Sequence, residues 1–432
     1  MWLDNGQHVF LRCCTAYRGL LARLGSAHCV AIQPRLEIPV LSPGRWPVVL
    51  RRGGLPAPLH LAGALLRYSH LTFPQRLAVA RAAFALRRLE PRSATGTLGE
   101  WLSAHGQDEA AVAGLWDLIA LPTLNLPAAQ GSLALGAFVL QTGLLRHRDA
   151  GDIGFHMRPL SETIGDPAAR VLSAAGVEVR LGVRVEAVER VEAVELIEAG
   201  ERVEAGERVG ADASEVERVV PELDVPRARG GHRVFWSRAY TLRVLAGGEE
   251  LEADAVICAL PHERACALLE PLLGDEARRW LGLGASPIVN VHIVYDRRVF
   301  DLRFAAGVGT PVQYLFDRSE AAGLGNGQYL AISLSGAAEE MELSKEQLRE
   351  RYLEAMAELF PRARDAVVRS FHVSREHAAT FAARPGTEAL RPSPRTSVRG
   401  IVMAGAWTDT GWPATLEGAV LSGHAAAREA LA

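Results

Sequence analysis

The sequence predicts an α/β fold with two domains, one built on an open parallel sheet and one on a mixed sheet with helices. Residues 401–423 read IVMAGAWTDTGWPATLEGAVLSG, which predicts a strand, a turn and a helix with Thr415 as its N-cap. Such units form ligand crevices at the carboxyl ends of strands in open α/β sheets. Residues 251–261 predict another buried strand, ended by a proline and followed by a helix. Residues 286–296 and 328–335 alternate as strands, which indicates a second sheet.

The other elements follow from apolar periodicity and turn residues. In chain order they are a strand at 7–11, a helix at 12–25, short strands within 36–50, helices at 58–71 and 74–89, a helical region at 97–145 broken at Pro122 and Pro127, a helix at 163–175, a strand at 177–185, regular structure at 233–247, and helices from His262 and at 344–359. The last helix begins at Ser344, with Gln347 in capping-box position. In the terminal helix, Gly418 and Gly423 are expected to permit close packing against a neighbour.

Residues 186–232 differ from the rest of the chain. They open with a low-complexity run of Val, Glu, Ala and Arg and then pass through two prolines and a Gly-Gly pair. This pattern predicts a lengthened hairpin or a mobile surface insertion without chemistry of its own.

Composition excludes several classes of function. The 432 residues are 49% hydrophobic, enough for one large or two ordinary cores, and the net charge of −3 predicts no bulk attraction to nucleic acid. The five cysteines form no CxxC pair and no metal-ligand spacing with histidine, so we expect no metal site and a reducing compartment. No basic signal sequence opens the chain and no apolar run of about 20 residues occurs, which predicts a cytoplasmic protein.

Residues 38–89, the basic segment, contain arginine but no acidic residue. Two of the predicted helices, 58–71 and 74–89, lie within it and are rich in Leu, Ala and Phe. Such a pair of helices can lie on an anionic membrane surface, here the inner face of the plasma membrane, or border an apolar channel. It can equally form a cap with a solvated arginine face, and the sequence leaves these alternatives open.

Three separated segments resemble one family when taken together. They are Asp4-Asn5-Gly6-Gln7-His8, the strand from Asp254 to Pro261 with the helix–strand unit 168–185 before it, and 401–423. In this order and spacing the chain resembles the flavin-dependent amine oxidase and carotenoid desaturase superfamily, and within it the squalene-associated hydroxysqualene dehydroxylases. The ending of that branch, A-G-D-W-T-x-T-G-x-P-A-T-x-E-G-A-x-x-S-G, matches nearly every position from Ala404 to Gly423.

The resemblance implies an FAD-linked reductase fold with FAD as its cofactor. The Rossmann-like FAD-binding domain would comprise 1–35, 166–275 and 395–432, with 186–232 as a variable insertion and without its first βαβ unit. The substrate domain, a mixed sheet with helices that also faces the membrane, would comprise 36–165 and 276–394.

Residue roles follow from the same resemblance. Gly405 would permit close approach to the diphosphate and ribityl region of the cofactor. The isoalloxazine ring would be lined by Trp412, Pro413, Ala414 and Thr415. The helix from Thr415 through Glu417 would aim its N-terminus at the pyrimidine end of the flavin. The remaining expected cofactor contacts are Val183 and Val185 near the adenine, Ala259 and Pro261 beside the cofactor, and Gly6 and His8 on the other side of the flavin.

The catalytic group is not identified from the sequence. His8 and Asp409 are the candidates, yet His8 can equally be a hydrogen-bonded structural histidine, and Asp409 can simply cap a turn. Trp407 and Trp412 can be packing aromatics, although Trp412 lies within the motif. Glu417 lies in the first helical turn, where a carboxylate is favourable in any case.

The sequence departs from the family pattern in two places. The acid that usually follows the motif glycine is Ala406 here, which puts one polar cofactor contact in doubt. No G-x-G-x-x-G occurs anywhere, nor does the Gly-Gly-Arg turn that normally follows it. We expect either a gene model that starts internally at Met1 or a genuine loss, and in both cases weak or no binding of the dinucleotide.

The implied reaction is reductive removal of the hydroxyl of hydroxysqualene to give squalene, as in hopanoid synthesis. The flavin would carry out the chemistry while the protein supplies orientation and a dry, deep apolar tunnel. The apolar helices at 58–89 and 111–145 are expected to form walls of that tunnel.

Three alternatives remain. An isoprenoid desaturase of the phytoene type would transfer hydride from carbon to flavin. An amine oxidase would typically need a lysine near the flavin, whereas Lys345, the chain's only lysine, is predicted on a polar surface helix. A truncated, non-catalytic remnant could bind lipid or a partner at the basic segment. The direction of hydride transfer, the reductant and the oligomeric state do not follow from the sequence.

Overall fold

The strands of the protein were located in a computed structural model, which describes residues 2–198 and 234–432. Within these residues they are β1 (Val9–Leu11), β2 (Val30–Ile32), β3 (Glu37–Leu41), β4 (Val48–Arg51), β5 (Ile153–His156), β6 (Val185–Glu198), β7 (Val234–Ala246), β8 (Glu249–Ala253), β9 (Val256–Cys258), β10 (Ala285–Tyr295), β11 (Phe304–Gly307), β12 (Tyr314–Asp317), β13 (Gln328–Ser335), β14 (Val368–Phe381) and β15 (Ile401–Met403).

The α-helices of the same residues lie where apolar periodicity predicts most of them. They are α1 (Thr15–Arg23), α2 (Ala62–Arg67), α3 (Phe73–Arg88), α4 (Leu98–Ala104), α5 (Glu109–Ala111), α6 (Asp117–Leu124), α7 (Leu133–Leu140), α8 (Asp166–Ala174), α9 (His262–Leu273), α10 (Asp275–Arg279), α11 (Ala338–Glu342), α12 (Lys345–Leu359), α13 (Pro361–Arg364) and α14 (Leu416–Ala430). Wider π-type turns adjoin some of them, at Val112–Trp116, Gln141–Leu145 and Ser161–Gly165.

A mixed sheet of seven strands forms the largest core. Its order is β14-β10-β13-β12-β11-β3-β4, and its neighbours are antiparallel except for β11 and β3, which are parallel. The predicted strands 286–296 and 328–335 are confirmed as β10 and β13, which pair with each other from Ile288↔Ser335 to Tyr295↔Gln328. Helix α12 begins at the predicted Ser344 capping box and buries one face in the same core cluster as β10 and β13.

The chain divides into two compact units, residues 1–182 with 255–432, and residues 183–254. In the smaller unit, β6, β7 and β8 form an antiparallel sheet. Strand β6 pairs with β7 from Val185↔Ala246 to Glu198↔Val234. The predicted lengthened hairpin is therefore confirmed for residues 186–198, and the rest of that prediction lies outside the described residues. The predicted FAD-binding and substrate domains both extend through the larger unit, and their boundary stays a prediction.

Two sequence-based strand assignments are wrong in the larger unit and at its border. Residues 177–184 form no strand, and the apolar side chains among them are exposed. The predicted buried strand 251–261 is two strands, β8 and β9, and Ile257 and Leu260 are exposed. A strand needs a partner as well as apolar residues, and among the described residues only β15 pairs with β9 and no strand pairs with 177–184.

Of the two breaks predicted in the helical region 97–145, the one at Pro122 is wrong and the one at Pro127 is confirmed, because Pro127 lies between α6 and α7; the region is also interrupted after α4. Helix α6 continues through Pro122, and the chain leaves it at Asn125, which adopts the left-handed conformation with φ 54°. The Asn125 amide holds this turn against the large sheet, because it donates to the Ser286 carbonyl and accepts from the Gly336 N–H. Among the described residues, no helix is both long and apolar enough to cross a membrane.

Candidate functional site

The terminal motif begins as a buried strand and breaks at a glycine that no other residue could replace easily. Strand β15 pairs in parallel with β9. At its end Gly405 has a φ of 137°, and its N–H donates to the Ser422 hydroxyl at 2.9 Å. A Cβ atom at this position would lie 2.7 Å from Nε1 of Trp407. Within this chain the Trp407 ring lies close to Gly405, and the expected close approach of the cofactor to Gly405 stays a prediction.

The turn after Gly405 is held by a buried arginine that the sequence did not single out. Arg391 is 6% exposed. Its Nε donates to the Trp407 carbonyl, and its Nη2 lies within hydrogen-bond distance of the carbonyls of Ala406, Thr408 and Trp412. Its Cζ also lies 5.0 Å from the centre of the Phe381 ring. A single side chain thus fixes both halves of the turn.

The two tryptophans of the turn have different surroundings. Trp407 is buried, donates from Nε1 to the Leu260 carbonyl at 2.9 Å and packs 5.4 Å from the Trp280 ring. Trp412 is half-buried, with its ring centre 5.2 Å from that of Phe138, and packs against the core cluster of β1 and α1. Trp407 is a packing residue, and Trp412 stays the predicted flavin contact of the pair.

Helix α14 starts as its sequence predicts. The Thr415 hydroxyl accepts the Gly418 N–H at 3.2 Å, as expected of an N-cap, and no acceptor for the N–H groups of Leu416 and Glu417 is found in the described residues. These free donors are those that a helix N-terminus offers to an anion or a carbonyl. A Cβ at Gly418 would lie 3.0 Å from the Pro413 carbonyl, whereas one at Gly423 would meet nothing within 4 Å. The expectation of close packing at Gly423 is therefore wrong.

The carboxylate of Glu417 is committed to another helix. Its two oxygens accept the backbone N–H groups of Ala16 and Tyr17 at 2.9 and 2.8 Å, in the first turn of α1. Glu417 is 2% exposed. Its predicted position in the first turn of α14 is confirmed, and its carboxylate connects α14 to α1. A cofactor contact by this side chain stays a prediction.

The Asn5–Gly6–Gln7 turn rests on the large sheet. The Asn5 carbonyl accepts from Nδ2 of Asn290 on β10 and from the Ser374 hydroxyl on β14, at 3.1 and 2.6 Å. A Cβ at Gly6 would lie 3.3 Å from the same Asn290 nitrogen. Two buried polar atoms here, Nε2 of Gln7 and Oδ1 of Asn290, find no partner among the described residues. Since buried polar groups are normally satisfied, a ligand group is the expected partner of these two atoms.

The histidine predicted to face the flavin, His8, is exposed, and its Nδ1 lies 3.1 Å from the Gly6 carbonyl. Behind it, Nδ1 of the buried His156 donates to the His8 carbonyl at 2.9 Å, so its Nε2 accepts from the Tyr17 hydroxyl at 2.6 Å. Burial lowers the pKa of His156 to about 4, which keeps the ring neutral near neutral pH.

A second buried histidine connects the sheet to the same turn. The Ser374 hydroxyl donates to the Asn5 carbonyl, so it accepts from Nε2 of His292 at 3.4 Å. Nδ1 of His292 then accepts from the Tyr329 hydroxyl at 2.7 Å. Burial, and to a smaller extent the nearby His372, lower the pKa of His292 to about 4. In this network each group donates a hydrogen bond to the next, from the Tyr329 hydroxyl through His292 and Ser374 to the Asn5 carbonyl.

The other catalytic candidate, Asp409, caps a turn. It is exposed, its N–H donates to the Pro392 carbonyl at 2.8 Å, and its Oδ1 accepts the Gly411 N–H at 3.2 Å. The turn-capping alternative accounts for these contacts. Asp4, which the sequence analysis named only as part of the segment from Asp4 to His8, lies nearer the Gly6 turn and pairs with the half-buried Arg318 at 3.2 Å.

Of the remaining predicted contacts, Ala259 and Pro261 are exposed at the end of β9 and flank Leu260, whose carbonyl accepts from Nε1 of Trp407 in the terminal turn. Their contact with the cofactor stays a prediction. Val183 and Val185 belong to the smaller unit, where they are exposed as well. Their contact with an adenine stays a prediction.

Two neighbouring cavities share Phe155 and Arg303 in their walls. One, of about 340 Å³, has a wall of polar and apolar groups, and charged side chains such as Arg298 and Asp317 contribute to it. The other, of about 310 Å³, is largely apolar, with Leu302 in its wall. No residue of 58–89 or 111–145 lines either of them, so the predicted tunnel walls stay a prediction.

Sequence reasoning missed Arg391 and Asn290. Arginine is common along this chain, and nothing in its local pattern separates a buried carbonyl clamp from a surface cation. One feature of the sequence could have identified Asn290. An amide at an inward-facing position of an alternating strand must find a hydrogen-bond partner.

Comparison with known proteins gives three results. The family model of flavin-containing amine oxidoreductases matches residues 1–220 and 232–431. A hydroxysqualene dehydroxylase of Rhodopseudomonas palustris is 33% identical over 233 residues, which cover 52% of this chain and 51% of that protein. A 15-cis-phytoene desaturase of Narcissus pseudonarcissus is 27% identical over 252 residues, covering 50% of this chain and 42% of the relative. The chain thus spans about half the length of the curated relatives it matches.

Solved structures show the same fold at low identity. The crystal structure of an oxidoreductase from Methanosarcina mazei matches with a TM-score of 0.64 and 15% identity, covering 95% of this chain and 85% of the other. At this identity the likeness concerns the fold alone, and it confirms the predicted α/β architecture.

Proposed function

The chain belongs to the family of flavin-containing amine oxidoreductases. We propose that it acts as an FAD-dependent oxidoreductase of isoprenoid metabolism. The family and its cofactor, FAD, agree with the resemblance read from the terminal motif. Within the family we propose the reductive dehydroxylation of hydroxysqualene to squalene, in hopanoid synthesis, as the reaction.

One observation carries the proposal of a flavin site. The turn between β15 and α14 presents Trp412 and the free N–H groups of Leu416 and Glu417, and Arg391 holds it in place. Because α14 is tied to α1 through Glu417, and α1 to His156 through Tyr17, this turn and the Gly6 turn belong to one connected framework.

The residues present fit one end of FAD. The Gln7 amide nitrogen is a buried donor without a partner and the Asn290 amide oxygen a buried acceptor without one, and the pyrimidine edge of a flavin offers groups of both kinds. With the N–H groups at the start of α14 they would hold the ring, and a bound flavin supplies hydride transfer there. The diphosphate end is different, because no glycine-rich phosphate cradle occurs in the sequence.

The substrate class is supported by the names of the relatives. Curated proteins similar to this chain are hydroxysqualene dehydroxylases and phytoene desaturases, which are named for long isoprenoids. Replacing a C–OH bond by C–H needs two electrons and two protons and releases water. The exposed His8 is the proposed proton donor, because its ring lies on the Gly6 turn and desolvation lowers its pKa below the ordinary value, which makes the protonated ring a stronger acid.

Two other functions are alternatives, and a specific observation bears on each of them. The phytoene desaturase relatives support desaturation, which shares the fold and reverses the hydride transfer. Amine oxidation has less support, since Lys345 is exposed in the first turn of α12 and forms no part of the turns described above.

Product analysis separates these functions. The protein is incubated without oxygen with excess reduced FAD and hydroxysqualene. In separate mixtures it is incubated with oxidised FAD and squalene or phytoene, and in the presence of oxygen with oxidised FAD and an alkyl amine. Squalene formed only in the first mixture is the expected result. A product with additional double bonds supports the desaturase, hydrogen peroxide released with the amine supports the oxidase, and no turnover in any mixture supports a non-catalytic remnant.

A matched pair of variants ties activity to the site. Gln7→Leu removes the unpaired buried donor, so we expect at least about a tenfold loss of squalene formation, the cost of one hydrogen bond to a bound group. Gln130→Leu changes an exposed glutamine and should leave the rate unchanged. Equal rates for both variants would exclude Gln7 from the site.

A further inference from the structure

Helix α3 is apolar on two opposite faces. Its inner face packs into the protein through Val79, Ala82 and Leu86. Its outer face carries Phe73, Leu77 and Phe84, which are 66%, 45% and 42% exposed. At about 100° per residue these three side chains fall within an arc of about 40°, roughly opposite the inner set. An ordinary solvated helix would carry polar residues along this stripe.

The outer stripe of α3 continues onto neighbouring segments. Arg76 in α3 donates to the Leu66 carbonyl in α2, and the Gly53 N–H donates to the His60 carbonyl, which ties the loop after β4 to the start of α2. What we call the outer apolar surface comprises exposed large apolar side chains of these segments and of the turn between β3 and β4: Trp46, Leu55, Leu59, Leu66, Phe73, Leu77 and Phe84. Trp46, at the tip between β3 and β4, is 91% exposed.

Unpaired cations accompany this surface. Two arginines of the basic segment are paired, Arg51 with Glu37 and Arg52 with Asp152. No ion pair is found in residues 2–198 and 234–432 for five others, Arg45, Arg67, Arg81, Arg87 and Arg88. On α3, Arg81, Arg87 and Arg88 lie within about 80° of the outer stripe by the same helical geometry.

We propose that the outer apolar surface docks on a phospholipid bilayer with anionic headgroups. Leucine and phenylalanine side chains are stabilised when they leave water, and each arginine near an anionic surface adds electrostatic attraction. Exposed tryptophan suits the interface between headgroups and acyl chains. An apolar stripe flanked by arginine is the composition of helices that lie in the plane of a membrane surface.

A second copy of the chain fits this surface less well. A symmetric dimer places the same patch against itself, so the unpaired arginines of one copy would face those of the other. Like charges brought together in this way oppose association. The lipid leaflet supplies the complementary charge and the apolar layer at once. The inference uses no residue of the proposed flavin site and is independent of the proposed reaction.

Co-sedimentation with vesicles tests the proposal on the full chain. One set of vesicles is phosphatidylcholine alone, and the other contains phosphatidylglycerol as well. We expect partitioning onto the anionic vesicles to be at least about tenfold stronger and to weaken with added salt. Absence of binding to either kind of vesicle, or equal binding to both, would overturn the proposal.

Apolar substitutions locate the contact. The test variant changes three outer side chains of α3, in Phe73→Gln, Leu77→Gln and Phe84→Gln. The control variant changes three exposed apolar residues elsewhere, in Leu281→Gln, Leu302→Gln and Val367→Gln. We expect the first variant to lose vesicle binding by about tenfold or more and the second to bind like the wild type. If the first variant instead loses a concentration-dependent dimer and keeps vesicle binding, the surface is an interface between copies.

Charge substitutions test the role of arginine. The variant Arg81→Gln, Arg87→Gln, Arg88→Gln should bind anionic vesicles about tenfold or more weakly. The control Arg384→Gln, Arg399→Gln, Arg428→Gln removes three exposed arginines for which the described residues show no salt bridge. Its binding should stay at the wild-type level, and an equal loss in both variants would show that net charge alone attracts the protein.

A measurement on a loop residue avoids any effect on folding. Brominated acyl chains quench nearby indole fluorescence, so vesicles with brominated lipid should quench the wild type more than the Trp46→Phe variant. Equal quenching would place Trp46 outside the bilayer and contradict the proposed orientation.

Discussion

Glu417 caps the helix that contains Tyr17: Oε2 of the carboxylate accepts the Tyr17 N–H at 2.8 Å, and Oε1 accepts that of Ala16 at 2.9 Å. The carboxylate of one helix therefore satisfies the free N–H groups at the start of another, where the dipole of α1 favours negative charge. Tyr17 in turn donates to His156, so the terminal motif is connected to the strands beneath the Gly6 turn.

Replacing Glu417 by glutamine should destabilise the protein by about 1–2 kcal/mol, because one charged acceptor becomes a neutral amide while both N–H groups remain buried. Urea unfolding measures this change. Glu429→Gln is the control, since Glu429 pairs at the surface with the exposed Arg395 and should cost less than about 1 kcal/mol. Equal effects of the two changes would contradict the capping role.

Replacing Arg391 by lysine should loosen the turn at 406–412. A lysine carries its donors on one terminal nitrogen and lacks the planar pair of Nε and Nη2 through which Arg391 reaches the four carbonyls. Hydrogen exchange of the amides of this turn should become faster, with a loss of about 2–4 kcal/mol from carbonyls left unpaired. Arg395→Lys, at an exposed arginine, should leave exchange in the turn unchanged, and unaltered exchange in the Arg391 variant would contradict the clamp.

Gly405→Ala and Gly423→Ala should have opposite effects. At Gly405 a side chain meets both a φ of 137° and the Trp407 ring, so we expect a loss of about 2–4 kcal/mol from strain and overpacking. At Gly423, inside α14 with no neighbour within 4 Å, alanine should stabilise the helix by about 0.5–1 kcal/mol. Thermal unfolding gives both values, and a tolerated Gly405→Ala would show that the turn can rearrange.

Stability should fall as the pH decreases from neutral toward 4 because of two buried histidines. The pKa values of His156 and His292 are lowered from 6.5 to about 4 in the folded protein, so the unfolded chain takes up protons first. Each ring should cost about 2 kcal/mol between about pH 7.5 and about pH 5. His156→Gln and His292→Gln should each reduce the pH dependence by that amount, measured by urea unfolding at both pH values. An unchanged pH dependence would mean that the rings are not buried as neutral groups.

The sequence predicted those parts of the fold that depend on local patterns. The alternation of 286–296 and 328–335 predicted β10 and β13, and Thr415 and Ser344 predicted helix starts. It was wrong where a strand depends on partners distant in the chain, as at 177–184, because alternation shows which face is apolar and not whether another strand is present.

The candidate site was predicted in part. The turn at 405–415 follows from its glycine, prolines and N-cap, and its residues lie together as expected. The roles of Arg391 and Glu417 could not be predicted, because the clamp and the cap join segments that are distant in sequence. Only the folded chain brings Arg391 to the Trp412 carbonyl, or Glu417 to the start of α1.

Flavin titration tests the central claim most directly, which is that the turns at 5–7 and 405–417 hold a flavin ring. Quenching of tryptophan fluorescence is followed as FAD or riboflavin is added to the purified chain. Since the residues present fit the ring and no glycine-rich cradle meets the phosphates, the two ligands should bind with affinities within about threefold of each other, and Arg391→Lys should weaken both. Binding of FAD about tenfold or more tighter than riboflavin, or no binding of either, would contradict the account.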